Sequence, residues 1–313
     1  MKKLLFALML ALPMVVLMSC GDEDVADDVV IHVDGSGDAL SDGVLTYKIT
    51  STMADNRMVT VTGCKTGIPD VGIPDAVEFN GTQYKVTAIG EKAFKNYSSL
   101  QSVKIGNSVT SIGAEAFRGC ESLTEVTIPS DVTSIGVSAF MSCSGLTKVT
   151  IPGSVESIGA EAFRYCRSLT EVTIPGSVTS IGGSAFYDCS SLAKVTIPCS
   201  VTSIGDWAFR GCSSLTELTI GSGVTSIEDY TFAHCSSLTK VTIPCSVTSI
   251  GEDAFYDCSS LTEVTCLATT PPTLQSGNFS AKGATLHVKK GCKSTYEASD
   301  WNRHFKTILE DAE

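Results

Sequence analysis

Thirteen cysteines are the side chains of this 313-residue sequence that are best able to do chemistry. Seven of them recur at intervals of 23 residues, at Cys120, Cys143, Cys166, Cys189, Cys212, Cys235 and Cys258. In regularly stacked units they would form a column with about 4.8 Å between neighbours. An odd number cannot pair completely, and strand-like stacking rarely offers the dihedral angle of a disulfide. We therefore expect buried free thiols that pack as small apolar groups.

The remaining cysteines and the histidines offer little further chemistry. Cys199 and Cys245 share another repeat position two units apart, about 9–10 Å by the same spacing, which is too far for a direct bridge. Cys266 and Cys292 flank the C-terminal region and are the best candidates for a disulfide. The sequence has no C-x-x-C motif and its four histidines are scattered, so we expect no metal.

Catalytic motifs are also missing from the sequence. It has neither a glycine-rich phosphate loop nor a nucleophile elbow, and its many Ser and Thr residues recur without a fixed His or Asp partner. We expect no enzyme and no cofactor.

The cysteine spacing belongs to a repeat that runs without a gap from about Ile89 to Cys266. Isoleucines five residues before each phenylalanine, and leucines six residues after it, keep the same step. A fixed period of this length predicts a solenoid, because only neighbouring units can bury the apolar face of each unit. The eight copies are marked by Phe94, Phe117, Phe140, Phe163, Phe186, Phe209, Phe232 and Phe255.

The elements L-x-x-V-x-I-P, S-V-T-S-I-G and A-F-x-x-C within each copy resemble the BspA-like (Treponema pallidum-type) leucine-rich repeat. The resemblance implies a mainly β solenoid, a right-handed coil of eight 23-residue rungs over residues 89–266. It also implies a surface lipoprotein associated with adhesion to host matrix proteins and with bacterial coaggregation. The motif is specific for the fold and does not identify a ligand.

The flanks of the repeat are expected to be caps. Residues 44–88 read as a β cap, with strands over 44–49, 58–62 and 83–87, the last one after an Asn80-Gly81 turn. Residues 267–313 read as a C-terminal cap with a strand over 285–288. A short helix would follow, because apolar residues there have helical spacing at Trp301, Phe305, Ile308 and Leu309.

The N-terminus predicts export. Residues 1–19 have the basic end and apolar stretch of a signal peptide, and Leu17-Met-Ser-Cys20 resembles a lipobox that would place a lipid on Cys20. Residues 20–43 would then be an acidic tether, which either directs the protein to the outer face of a Gram-negative outer membrane or is a generic spacer. The net charge of −12 argues against nucleic acid as a partner.

Two surfaces are candidates for binding, the second on the condition that its side chains are exposed. Charges alternate in sign along the predicted strands at Glu125, Lys148, Glu171, Lys194, Glu217, Lys240 and Glu263; this flat face is either structural or a docking face. Arginines and aromatics gather around the phenylalanine corner at Arg118, Arg164, Tyr187, Trp207, Arg210, Tyr230 and Tyr256. These residue types are enriched at interface hot spots, although duplication and drift would give the same pattern.

The sequence therefore predicts a binding protein that presents a repetitive surface to an extracellular protein or glycoprotein. The alternative is a structural or assembly component of the bacterial envelope.

Overall fold

The computed structural model describes residues 32–33, 40–280 and 283–312. Cys20, the signal peptide and most of the acidic segment lie outside these residues. Within the described residues, no helix has the length and apolar character needed to cross a membrane.

The longest strands form one parallel sheet along the whole coil. Each strand pairs with its counterpart in the next turn of the coil; Val126, for example, lies opposite Val149. This sheet contains 11 strands, so the coil extends beyond the eight predicted rungs, by one strand before them and two after. The mainly β solenoid is confirmed. The strands are Asp70–Ile73, Ser102–Ile105, Glu125–Thr127, Lys148–Thr150, Glu171–Thr173, Lys194–Ile197, Glu217–Ile220, Lys240–Ile243, Glu263–Cys266, Thr285–Lys289 and Thr307–Ala312.

A second side of the coil consists of two-residue strands. In seven of them serine faces outward and isoleucine is buried, and in the last Thr273 is exposed and Leu274 is half-buried. Proline or glycine separates each of them from the preceding long strand, where the chain must turn. These strands are Ser111–Ile112, Ser134–Ile135, Ser157–Ile158, Ser180–Ile181, Ser203–Ile204, Ser226–Ile227, Ser249–Ile250 and Thr273–Leu274.

The third side is the phenylalanine corner, and it is built from turns rather than helix. Every second backbone N–H donates to a carbonyl oxygen of the next rung, as Phe117 N does to Ala139 O at 2.7 Å. Each N–H between them donates to the carbonyl three residues earlier in its own rung, as Arg118 N does to Glu115 O at 3.1 Å. The positions two before and two after the phenylalanine have positive φ in rung after rung. That alternation prevents a regular helix.

The core is a file of phenylalanine rings, one from each rung. Phe140 and Phe163 are typical, with centroids 5.4 Å apart and planes within 2° of parallel. The file continues to Phe279 at the C-terminal end, 5.1 Å from Phe255. The eight rings of the rungs have no exposed surface, so all of them face the interior of the coil.

The cysteine column lies beside this file, buried as expected. Each thiol donates to the carbonyl of the phenylalanine 26 residues earlier; Cys120 Sγ lies 3.1 Å from the Phe94 oxygen. Burial raises the pKa of Cys166 to about 12, so this thiol stays protonated at neutral pH. The cysteines therefore join neighbouring rungs through hydrogen bonds to the backbone.

The N-terminal cap contains the three predicted strands with wider limits, Leu45–Met53, Asn56–Cys64 and Thr82–Ile89. Ala76–Phe79 forms a hairpin with the last of them through Asn80 and Gly81, whose φ angles are 49° and 71°. Both angles suit the predicted turn. Short strands at His32–Val33 and Leu40–Ser41 extend the sheet.

The predicted C-terminal helix is wrong in part. An α-helix covers Lys293–Glu297 and a 3-10 helix Asp300–Arg303, but Ile308 and Leu309 lie on the strand Thr307–Ala312. This strand pairs with the exposed edge of Thr285–Lys289. Ile308 is buried and Leu309 exposed, which is the alternation of a strand.

The predicted Cys266–Cys292 disulfide is also wrong, because both are free thiols. The Tyr296 hydroxyl lies 3.1 Å from Cys266 Sγ and 2.8 Å from the Ala268 carbonyl oxygen. Tyr296 thus occupies the place beside Cys266 that a partner sulfur would need.

Candidate binding surface

The structure divides the predicted arginine and aromatic residues into three groups. Five of the seven lie in one continuous row across successive rungs, and Tyr165 joins them from a neighbouring position. Arg118 and Tyr256 have other partners at the two ends. We call the row the Arg–aromatic ladder; it consists of Arg164, Tyr165, Tyr187, Trp207, Arg210 and Tyr230.

Guanidinium groups and rings alternate along the ladder. The Arg164 guanidinium carbon lies 4.8 Å from the Tyr165 ring centroid and 4.7 Å from that of Tyr187. The Arg210 carbon lies 5.1 Å from the Tyr187 centroid and 5.0 Å from that of Trp207. These are cation–π distances.

Trp207 and Tyr230 complete the ladder as a stacked pair, with centroids 4.5 Å apart and planes at 25°. The Asp253 carboxylate accepts a hydrogen bond from Tyr230 and raises the pKa of its phenol. Much of the ring faces is thus occupied within the ladder. Side chains still reach solvent, and Trp207 is 36% exposed.

Hydrogen bonds fix the two arginines in place. Arg164 donates to Glu161 and, over 3.0 Å, to the Tyr165 hydroxyl; Arg210 donates to the Tyr187 hydroxyl. Among the described residues, two buried side-chain nitrogen or oxygen atoms have no hydrogen-bond partner, and they are the Nε atoms of these same arginines. Such a donor favours a nearby acceptor oxygen.

Unusual backbone geometry holds the aromatic side chains at the corner. Tyr165, Trp207 and Tyr230 have φ angles of 64°, 64° and 55°. Bulky side chains rarely adopt this region, which costs of order 1–3 kcal/mol at each site. The inter-rung hydrogen bonds of the corner impose it, since smaller residues at the same repeat positions have it too.

Arg118 belongs to a separate ion cluster at the N-terminal end. Its guanidinium lies 2.8 Å from the Glu115 carboxylate, which also contacts Lys95 at 2.5 Å. Hydrogen bonds from Lys95 and Arg118 lower the pKa of Glu115 to about 2. Arg118 is thus paired with a carboxylate of its own rung, which also binds Lys95 of the rung before.

Tyr256 lies at the other end, where the His234 ring meets it edge to face at 5.5 Å. His234 Nδ1 is also 3.1 Å from the Asp257 carboxylate. Tyr256 is 43% exposed and occupies the same repeat position as Tyr187.

Sequence reasoning missed Tyr165 and Arg167. Tyr165 follows Phe163 by two, at a position otherwise filled by small or polar residues, and the Arg167 guanidinium carbon lies 5.4 Å from its ring centroid. A survey of aromatics at every variable position around the phenylalanine would have found Tyr165.

The charge column has the predicted register. Glu125, Lys148 and Glu171 face one another across neighbouring strands. Close ion pairs join each lysine to the glutamate of the following rung, at 3.8, 2.7 and 2.8 Å for Lys148–Glu171, Lys194–Glu217 and Lys240–Glu263. These side chains are well exposed, so the pairs contribute little to stability.

In the part of the chain that the structure describes, no three His, Cys, Asp or Glu residues form a group able to hold a metal ion.

A family model for the BspA type leucine rich repeat region, in six copies, matches residues 77–193 and 180–286. Among curated proteins, none matches this chain significantly.

Three solved structures are similar along most of their length. A leucine rich cell surface protein from Faecalibacterium prausnitzii is 27% identical, covering 85% of this chain and 97% of its own, with a TM-score of 0.39. A leucine-rich repeat protein from Bacteroides ovatus is 25% identical; the match covers 86% of this chain and 75% of that protein, with a TM-score of 0.49. The leucine-rich repeat protein of Treponema pallidum is 28% identical; the match covers 70% of this chain and 88% of that protein, with a TM-score of 0.47.

The family match covers about two thirds of the chain, over the same rungs that carry the phenylalanine file and the cysteine column. This chain belongs to the BspA-type leucine-rich repeat family.

Proposed function

We propose that this protein is a lipid-anchored surface protein that binds an extracellular protein or glycoprotein through the Arg–aromatic ladder. Its role would be adhesion to host matrix or mucosal proteins, or to other cells. The leucine-rich repeat solenoid is a scaffold for binding, since stacked repeats present an extended surface. The observation that carries the proposal is the continuous ladder, in which four rungs contribute Arg, Tyr and Trp side chains to one partly exposed row.

The ladder suits a protein partner. Trp, Tyr and Arg are the residues most enriched at interface hot spots. Stacking and hydrogen bonds hold these side chains in place before binding, so little conformational entropy remains to be lost. Ring edges along the ladder would meet apolar groups of the partner.

The partner's chemistry follows from the same contacts. Ring faces that stack within the ladder are not free to stack on sugar rings. We therefore expect the ladder to contact the polypeptide of a glycoprotein rather than its glycans.

The lipid anchor is supported by the lipobox-like Leu17-Met-Ser-Cys20 and by the acidic residues that follow it. One similar protein, from Faecalibacterium prausnitzii, is described as a cell surface protein. An acidic tether would hold the solenoid away from the membrane.

Replacing Cys20 by alanine tests the anchor. The unchanged protein is expected in the detergent-soluble outer-membrane fraction and should incorporate labelled palmitate. Cys20→Ala should incorporate none, because Cys20 is the residue proposed to carry the lipid. A Cys20→Ala protein that is still labelled would contradict the anchor.

The envelope component remains the alternative, favoured by the flat strand face on which opposite charges already pair. A binding screen of the purified protein separates the two functions. The probes are immobilised matrix proteins, mucins, glycans and envelope fractions of its own organism. Saturable binding to a host component supports adhesion, whereas binding only to its own envelope supports the structural role.

Two substitutions in the ladder should weaken that binding without unfolding the protein. The chain itself tolerates Ala233 at the repeat position of Tyr187, and Ser184 at that of Trp207. Tyr187→Ala with Trp207→Ser should raise Kd at least about 30-fold, as the loss of a hot spot would. The unfolding midpoint should shift by only a few degrees, measured by circular dichroism.

Tyr256→Ala is the matched control, because Tyr256 has the same repeat position and is exposed but lies outside the ladder. Its Kd should equal that of the unchanged protein. Equal losses of binding in both variants would show that the ladder has no special role.

A further inference from the structure

Two cysteines differ from all the others in the described residues, because Cys199 and Cys245 are exposed. They occupy the same turn, between a long strand and a short one, two rungs apart. The intervening rung has Ser222 at this position. Neither cysteine lies in the ladder or in the buried column.

The two thiols cannot act together within one copy. Two rungs separate them by about 9–10 Å, given strand spacings of about 4.8 Å. A disulfide requires Cα atoms closer than about 7 Å, and two sulfurs bound to one zinc ion, each about 2.3 Å from the metal, would be closer still. A partner for either thiol must come from another molecule.

The surface around the cysteines is neutral and made of small residues. Residues 196–202 and 242–248 both read Thr-Ile-Pro-Cys-Ser-Val-Thr, and residues 219–225 between them read Thr-Ile-Gly-Ser-Gly-Val-Thr. None of these residues is charged, in a chain with a net charge of −12. A second copy of an acidic protein meets least repulsion at such an uncharged stripe.

The arrangement is self-complementary. A two-fold axis at Ser222, perpendicular to the coil, places Cys199 of one copy opposite Cys245 of the other, and the reverse. Isologous interfaces of this kind are the commonest in homo-oligomers. The small Gly221-Ser222-Gly223 turn on the axis would allow the two turns to approach closely.

The turn beside Cys199 favours its thiolate form. The glycine turn lies directly against its backbone, so close that a Cβ on Gly223 would be 2.1 Å from the Cys199 carbonyl oxygen. This contact brings the hydroxyl and backbone N–H of Ser222 to the sulfur, and these hydrogen bonds lower the pKa of Cys199. A larger thiolate fraction speeds exchange with disulfides.

We propose that two copies of this chain join in antiparallel orientation through two reciprocal disulfides, each between Cys199 of one copy and Cys245 of the other. The link would form in an oxidising export compartment and so goes beyond the proposed binding function. A disulfide supplied by a thiol oxidant accepts the electrons. Cys199 thiolate attacks it, forms a mixed disulfide and releases one thiolate; Cys245 thiolate of the second copy then attacks the Cys199 sulfur and releases the other.

The test uses the purified, reduced full chain oxidised with glutathione disulfide. On non-reducing gels the unchanged protein should run as a dimer that dithiothreitol converts to monomer. Cys199→Ser alone and Cys245→Ser alone should both stay monomeric, because every bond needs one cysteine of each kind. Mixing the two variants should restore a covalent heterodimer, and mass spectrometry should find Cys199 joined to Cys245.

A relocated cysteine provides the matched control. The variant Cys199→Ser with Gly176→Cys moves the cysteine to the same repeat position in the preceding rung. Gly176 has open space around its Cβ position. This variant should dimerise at least tenfold more slowly.

Several results would overturn the proposal. Covalent dimers from either single variant would show a pairing of like cysteines. If the relocated variant dimerised as fast as the unchanged protein, the disulfides would come from random collisions between exposed thiols. Monomers that carry only glutathione adducts would show that no second copy docks here. All of these readouts are independent of the binding screen and of the lipid anchor.

Discussion

Phe163→Ala should lower the free energy of unfolding by about 3–5 kcal/mol, the usual cost of truncating a buried phenylalanine to alanine. Phe163 has no exposed surface and lies between Phe140 at 5.4 Å and Phe186 at 5.3 Å. Removing its ring opens a cavity in the middle of the file. The hydrogen bonds between backbones on either side prevent the rungs from closing it.

Chemical denaturation measures this loss, with Val137→Ala as the control. Val137 is 51% exposed at the same corner, so its truncation should change the free energy by no more than about 0.5 kcal/mol. An unchanged stability in Phe163→Ala would contradict the stacked core and, with it, the whole rung arrangement.

Trp301→Ala should cost a similar 3–5 kcal/mol, at the C-terminal end of the coil. Trp301 is 1% exposed, and its indole N–H donates to the Pro272 carbonyl at 2.8 Å. Its ring centroid lies 5.4 Å from that of Phe279. It therefore closes the phenylalanine file. In a solenoid each repeat depends on its neighbours, so loss of the cap should loosen the last rungs first.

Hydrogen exchange locates that effect. Amides of Glu263–Cys266 and Thr285–Lys289 should lose protection before those of Glu125–Thr127. Trp301→Phe should keep most of the packing and lose about 1 kcal/mol with the hydrogen bond. Arg303→Ala, whose side chain is 81% exposed, should have no effect. Uniform loss of protection along the coil would contradict a local capping role.

The repeat was predictable because one short pattern decides it. Leucine, isoleucine and phenylalanine at fixed steps of 23 residues specify which side chains face inward, and Phe94 to Phe255 are all buried. The period ends after Cys266, and there local patterns were insufficient. The helical spacing of Trp301, Phe305 and Ile308 was overridden by the free edge of Thr285–Lys289, which offered strand pairing to Thr307–Ala312.

The candidate site was predictable only in part. Residue types around the corner identified Tyr187, Trp207 and Arg210, but their spacing could not show that Arg118 is held by Glu115 instead. Tyr165 enters the ladder through the positive φ of its position, which turns it toward the ring of Tyr187, 5.6 Å away. That angle depends on hydrogen bonds between rungs, which no single repeat encodes.

We propose that the Arg–aromatic ladder, and not the charged strand face, binds the partner. The direct test compares the Kd of two double variants for the host component that the screen identifies: Tyr187→Ala with Trp207→Ser, and Glu217→Ala with Lys240→Ala. We expect the first to raise Kd at least about 30-fold and the second to leave it within about twofold. The reverse result would place binding on the strand face and contradict the proposed function of the ladder.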